Sequence, residues 1–284
     1  MRQFEYYSPK SLSEACDLLS EFEGGARILA GGTDVLVELR KANSTSSRAI
    51  VDISRIRSLK RIEESGNSII VGPLTTHAEV LRSEIIRTGA PLLRTAVSTI
   101  GSPQVRNRGT IGGNIVNAAA CADTVPPLMA LDAQIKLQSS RGERILALSS
   151  FFVKPYVTVA MRDEILTEIR FSRLPADAAS SFVKLGRRNA LSIARLSVAA
   201  VLRRDNAGTI TDARIVAGAA FPKWQRVTQA EEFLLGQRPS RELFAEAGRK
   251  VSEVMISFTG RRWSTEYKEP VIGVLTRRAL EMCT

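Results

Sequence analysis

The sequence predicts an α+β protein of two units, residues 1–174 and 175–284, and three observations carry that reading. Helical and strand-like runs alternate irregularly through the first part. A stretch of small residues with one proline, Leu174 to Ser180, then breaks the periodicity. Beyond it, three strand-like runs come in succession and three helical runs follow, and this segregation marks an α+β unit.

The elements follow in order. Leu12, Ala15, Leu18, Leu19 and Phe22 recur at helical spacing, Ser11 with Glu14 has the capping-box form, and Gly24-Gly25 ends the helix. Arg27–Ala30 reads as a short strand running into Gly31-Gly32-Thr33-Asp34 and a helix carrying Val35, Leu36 and Leu39. Strands are expected at Ala49–Ile53 and Ser68–Val71, then helices near Ala78–Arg82 and Leu92–Val97. A segment poor in charge, Gly109 to Ala133, leads to strands at Ile135–Gln138, Arg144–Leu148 and Glu164–Phe171. In the second unit, strands are expected near Phe182–Arg187, Ile193–Arg203 and Ile210–Ala220. Helices follow near Gln225–Leu235, Arg241–Val254 and Thr265–Met282.

Composition removes whole classes of chemistry. His77 is the only histidine, so an HExxH zinc site, a two-histidine iron site and a Cys2His2 finger are excluded. Cys16, Cys121 and Cys283 are odd in number and far apart, which fits a reducing compartment and offers no iron–sulfur spacing. GxGxxG and Gly-Lys are both absent, so neither the Rossmann fingerprint nor the Walker loop is present. Redox or group-transfer chemistry would have to come from a bound cofactor. Forty Lys+Arg against 29 Asp+Glu gives a net charge of +11, which favours anionic partners. The arginines come as scattered pairs and only 6% of residues are aromatic, so the stacking platforms of nucleic-acid binders are not evident. No apolar run approaches the roughly 18 residues of a membrane span. Met1 to Lys10 carries no apolar leader core, and a cytoplasmic protein is expected.

Two glycine-rich bends are the informative features. In Arg27-Ile28-Leu29-Ala30-Gly31-Gly32-Thr33-Asp34, a strand ends in paired glycines that let a ligand approach the main chain. The helix that follows would favour a phosphate at its start, with Thr33 or Asp34 as cap. Taken alone, the same residues also read as a plain turn with a capped helix. The second bend is Gly109-Thr110-Ile111-Gly112-Gly113-Asn114, followed by Asp123 at an N-cap position before Val125-Pro126-Pro127-Leu128. It too reads alone as a tight loop plus a capped helix. Two backbone-exposing bends in one half suit a ligand with two phosphates and sugars.

The pair resembles the flavin-binding subunit of the molybdenum hydroxylases, the xanthine dehydrogenase and carbon monoxide dehydrogenase family. Ala30–Asp34 stands where that family has its Ala-Gly-Gly loop, and Thr110–Asn114 where it has its Thr-Ile-Gly-Gly-Asn loop. Ile50–Ile53, Gly72–Thr76, Ser102–Asn107, Asp163–Leu166, Glu266-Tyr267 and Arg277–Leu280 add matches, so the resemblance runs along essentially the whole chain. It implies an FAD-binding unit of two α+β subdomains over residues 1–174, then a small α+β unit with a three-stranded sheet over 175–284.

By the same resemblance, Arg27 through Asp34 and Gly109 through Asn114 would embrace the diphosphate of FAD. Asp123 would accept a ribose hydroxyl, Ile165 would lie against the flavin, and Lys184 would sit near its pyrimidine edge and favour the reduced ring. Ile165 reads equally well as an ordinary strand core residue. His77, after Thr75-Thr76 at a helix start, reads as a capping or lining residue. No catalytic residue and no metal ligand is expected in this chain. The implied partners are a small subunit with two 2Fe–2S clusters and a large molybdopterin subunit, in a heterotrimer or its dimer, with NAD or another acceptor downstream. The cysteine-rich insertion of some aromatic acyl-CoA reductases has no counterpart here. Two readings from other classes remain: a stand-alone FAD-dependent oxidase, which would need no partner, and a basic nucleic-acid-binding module, favoured by charge alone.

Overall fold

A computed structural model of the chain describes residues 4–40, 47–188 and 191–284. Residues 1–3 of the start read over Met1 to Lys10 lie outside the described residues, and Glu5–Tyr7 form a strand, β1, that the sequence pattern missed. Helix α1 (Leu12–Glu21) follows, then β2 (Ala26–Leu29), the short helix α2 (Val35–Leu39) and β3 (Ala49–Asp52). The three strands form a parallel sheet in the order β1-β3-β2. Helix α1 starts as read, with Ser11 Oγ accepting from the Glu14 N–H at 3.2 Å. The Glu14 carboxylate accepts from the Lys10 N–H, one residue before the position a reciprocal box would use. The helix turns Ala15, Cys16 and Leu19 inward, in one cluster with Val51, Ile53, Leu74 and Ile165.

The next stretch holds β4 (Ile62–Ser65), β5 (Ser68–Val71), α3 (His77–Arg82), α4 (Glu84–Gly89), α5 (Pro91–Ser98), α6 (Pro103–Arg108), α7 (Ile111–Asn117) and α8 (Val125–Ala130). Strands β6 (Gln134–Ser139), β7 (Gly142–Ala147), β8 (Phe152–Lys154), β9 (Val157–Thr158) and β10 (Ile165–Ser172) complete the unit. An antiparallel sheet in the order β4-β5-β10-β6-β7 backs the helices. The chain reaches α3 through a complete capping box: Thr76 Oγ1 accepts from the Glu79 N–H, and the Glu79 carboxylate accepts from the Thr76 N–H. Helices α4, α6 and α7 and strands β4, β8 and β9 were not expected. All are short, and α4 and α6 sit behind Ser83 and Ser102, single-residue caps that leave little periodicity to read.

The last unit is β11 (Ala178–Leu185), β12 (Leu196–Arg204), β13 (Ile210–Gly218), α9 (Thr228–Leu234), α10 (Arg241–Thr259) and α11 (Thr265–Glu281), with an antiparallel sheet β11-β12-β13. β11 begins inside the expected connector, because Ala178 to Ser181 pair with Arg203 to Ala200 along a full register. Leu196 to Leu202 are all buried, and the alternation of a strand explains why. Ala199 and Val201 enter the core of the first unit with Phe182 and Val216. Leu196, Val198, Ala200 and Leu202 enter a second core beneath α10 and α11. The small sheet therefore has one face on each layer, which brings β11 to the edge of the first unit. Among the described residues no helix is long and apolar enough to cross a membrane. Many arginines of the surplus are tied to carboxylates, including Arg61 to Glu168, Arg144 to Glu164, and Arg214 and Arg226 to Asp132.

Candidate functional site

The two glycine bends touch. Gly31 follows β2 and lies directly on the end of α6, so close that a Cβ on Gly31 would stand 2.0 Å from the Arg108 carbonyl oxygen. Here glycine is required by close approach of two backbones. Gly32, next in line, has φ +80°, a left-handed conformation that glycine adopts without strain. The N–H groups of Gly31, Gly32, Thr33 and Asp34 find no acceptor among the described residues. Neither expected cap forms: Asp34 occupies the N-cap of α2 without a side-chain bond, and Thr33 Oγ1 turns to Asp34 Oδ2 at 3.4 Å. With only five residues, α2 adds little dipole to those open amides.

The second bend differs from its expected form. It is the junction of α6 and α7, with Thr110 as N-cap and Gly112 and Gly113 inside the helix. Most of its amides are already used. Gly109 N–H donates to Val105, Ile111 to Thr75, Gly112 to Pro73, Asn114 to Thr110, and Gly113 to Thr110 Oγ1 at 3.0 Å. Gly112 is small because α7 packs on Pro73, where a Cβ would meet the Pro73 Cβ at 2.4 Å. Gly113 has open space apart from Thr110 Oγ1. Asn114 is fixed by Thr124, whose hydroxyl donates to Oδ1 at 2.6 Å. So the first bend offers a run of free donors, and the second offers a slim wall whose glycine amides are already bonded.

Asp123 and Lys184, read as serving separate parts of a ligand, form one buried ion pair, Nζ to Oδ2 at 2.6 Å. Lys184 also donates to the Thr99 carbonyl at 3.1 Å, at the end of α5. Asp123 is not the N-cap of α8; Thr124 holds that position, and the carboxylate is drawn to the lysine on β11 instead. Burial raises the Asp123 pKa to about 6 despite the attraction of the Lys184 ammonium. Its Oδ1 is buried with no partner, an open acceptor beside the pair.

These residues enclose one cleft of about 1140 Å³. Arg27, Ile28, Ala30 to Asp34, Gly109, Thr110, Gly112 to Asn114, Asp123, Ile165 and Lys184 all line it. Leu29 and Ile111 do not; Ile111 is fully buried in the core, and Leu29 lies in the parallel sheet beside Asp52. Ile165 is both wall and core, packed with the residues beneath α1. Arg27 is held by Glu38 of α2. His77 lines the cleft as read, at the first position of α3, with its cap supplied by Thr76. Sequence reasoning missed Arg48, Tyr156 and Arg162, and the apolar Leu191 and Ile193 between β11 and β12. They come from parts of the chain distant in sequence and carry no motif.

The comparisons with known proteins agree along the whole length. Residues 2–174 match the family described as FAD binding domain in molybdopterin dehydrogenase, and residues 181–283 match the CO dehydrogenase flavoprotein C-terminal domain. The chain is 34% identical over 278 residues to the nicotine 6-hydroxylase medium subunit of Paenarthrobacter nicotinovorans, covering 97% of this chain and 95% of that one. It is 33% identical over 282 residues to the nicotinate dehydrogenase FAD-subunit of Eubacterium barkeri, covering 98% and 95%. Among solved structures, carbon monoxide dehydrogenase from Hydrogenophaga pseudoflava, in a form lacking the Mo-pyranopterin moiety, superposes with a TM-score of 0.92 at 30% identity, covering 99% of this chain and 97% of that one.

Proposed function

The chain belongs to the FAD-binding subunits of the molybdenum hydroxylases of the carbon monoxide, xanthine and nicotinate dehydrogenase type, and from that premise we propose how its cleft holds and uses the flavin. It is a flavoprotein oxidoreductase subunit, and molybdenum and iron–sulfur groups belong to other subunits. When bound, FAD supplies the two-electron chemistry that no side chain here can, between the 2Fe–2S clusters of a small subunit and NAD or another acceptor. The working unit is a cytoplasmic heterotrimer with that small subunit and a large molybdopterin subunit, or a dimer of it.

The observation that carries the reading is the contact of the two bends. The Gly31 to Asp34 amides are unpaired donors on one side, and Thr110 to Asn114 form a wall without bulk on the other. Such a pair grips an extended diphosphate. The volume exceeds the roughly 300–1,000 Å³ of ordinary small-molecule pockets, as a dinucleotide requires. The unpartnered Asp123 Oδ1 is an acceptor for a ligand hydroxyl. Ile165 closes the wall of the flavin end and keeps water from it. Lys184 brings a cation to the same end, but Asp123 neutralises part of its charge, so its pull on the flavin is moderated by the partner.

The test is direct. The full chain, stripped of ligand and reconstituted with FAD, turns yellow and retains flavin at nearly one per chain after gel filtration. A chain that stays colourless at saturating FAD refutes the reading.

A further inference from the structure

We propose that His77 is a ligand-contacting residue, its imidazole Nε2–H donating to the diphosphate of the bound dinucleotide where the two glycine bends meet. The inference rests on the FAD reading of the cleft. His77 is 3% exposed, yet its ring lines the cleft. Its position is fixed from both sides of the chain. The His77 N–H donates to the Gly109 carbonyl at 3.0 Å, and Thr76 pairs with Thr110 in an isolated antiparallel bridge. The ring lies along Gly109, where a Cβ would stand 3.2 Å from Cδ2 and 3.5 Å from Nε2. Gly109 Cα in turn meets Gly31, and beyond Gly31 stand the unpaired amides of the first bend. Imidazole, Gly109 and Gly31 therefore form one continuous layer at the floor of the joint.

The chemistry of the ring selects its role. Nδ1 is buried with no partner. A buried N–H without an acceptor costs more than a bare lone pair, so the proton belongs on Nε2, at the cleft edge. Burial and the Arg106 guanidinium lower the pKa to about 4, so the ring is neutral near pH 7. A neutral ring cannot serve as a counter-ion, but it can donate one directed hydrogen bond to an anion. No side-chain acceptor among the described residues takes that proton, which leaves the bond for a ligand.

The experiment uses the full chain and its single histidine, whose ring nitrogens give unambiguous ¹⁵N signals. FAD and ADP, which carry a diphosphate, are expected to shift the Nε2 signal, whereas riboflavin, which carries none, leaves it in place. His77→Leu is expected to weaken FAD and ADP by about tenfold or more, the worth of one hydrogen bond to a charged group. His77→Gln, which restores a donor near Nε2, recovers most of that loss. Unmoved ring signals at saturating FAD, or wild-type affinity in His77→Leu, overturn the proposal while leaving the FAD reading intact. Should His77→Leu fail to fold, the wild-type ring signals with FAD, ADP and riboflavin decide alone. A wild-type chain that binds no FAD takes down the reading on which the proposal rests.

Discussion

Replacing Gly31 by alanine tests the joint between the bends without removing any polar group. The added Cβ would stand 2.0 Å from the Arg108 oxygen, 2.8 Å from its carbonyl carbon and 3.1 Å from Gly109 Cα. All three are main-chain atoms, so no rotamer can relieve the clash. A carbon–oxygen contact needs roughly 3.2 Å, so the bends must part by about 1 Å, and inserting a methyl into a packed site costs about 1–3 kcal/mol. If about 2.7 kcal/mol of that falls on the binding-competent arrangement, FAD affinity drops about 100-fold. The control is Gly208→Ala, in the turn between β12 and β13, where φ is +83° and nothing lies within 4 Å. That change stores only backbone strain, about 1 kcal/mol, far from the cleft. Fluorescence titration of flavin quenching gives both affinities, and thermal unfolding gives both stabilities. Gly31→Ala must lose affinity well beyond its loss of stability, while Gly208→Ala loses stability alone. Equal FAD affinity in Gly31→Ala and wild type would refute the argument that the joint makes the site.

Two further predictions concern the buried pair. Lys184→Met strands a carboxylate and Asp123→Asn strands an ammonium, each costing about 3 kcal/mol, so the double variant should lose about 2 kcal/mol less than the sum; additive losses in denaturant unfolding would mean that the 2.6 Å contact is not maintained. The Asp123 carboxyl, ordinarily near 3.8, titrates at about 6 in the folded chain, so folding disfavours its ionised form. Its contribution to stability is intact below about pH 4, is lost as pH rises through 6, and amounts to about 3 kcal/mol. Asp123→Asn should flatten that part of the stability–pH curve, and identical curves for variant and wild type would show that this carboxyl is not the group responsible.

What the sequence made legible follows from the range of the interactions. Helix α1 was readable because Ser11 and an apolar stripe are local signals, and β12 because seven consecutive buried positions leave a run that is apolar except for Ser197. β1 was not, since Glu5 to Tyr7 owe their strand to pairing with Ala49 to Val51 across more than forty residues. Helix α7 was hidden by its own composition: paired glycines read as a bend, and only packing on Pro73 and the bonds to Thr75 and Pro73 hold them helical. In the site, the glycine motifs pointed to both bends, and the family resemblance pointed to the acid and the lysine. Nothing local announced that Asp123 and Lys184, 61 residues apart, would meet. The reversal of the Asp123 assignment has the same origin, because a cap is a local choice and an ion pair made across two units overrides it.

That override also explains how two units can share one ligand site. The β11-β12-β13 sheet turns Phe182, Ala199, Val201 and Val216 into the core of the first unit, a contact built from apolar area and therefore without direction. Burial alone would tolerate sliding of the sheet across α5 and α8. The bonds from Lys184 to the Thr99 carbonyl and to Asp123 are directional, and both lie at the cleft, so they fix the register of the small unit where the ligand needs it. A desolvated ion pair is a poor source of stability, and the raised Asp123 pKa records that cost. Its use here is positional: the same two groups that register the units leave the buried Oδ1 without a partner, so alignment of the fold and retention of a spare acceptor beside the cleft are one arrangement.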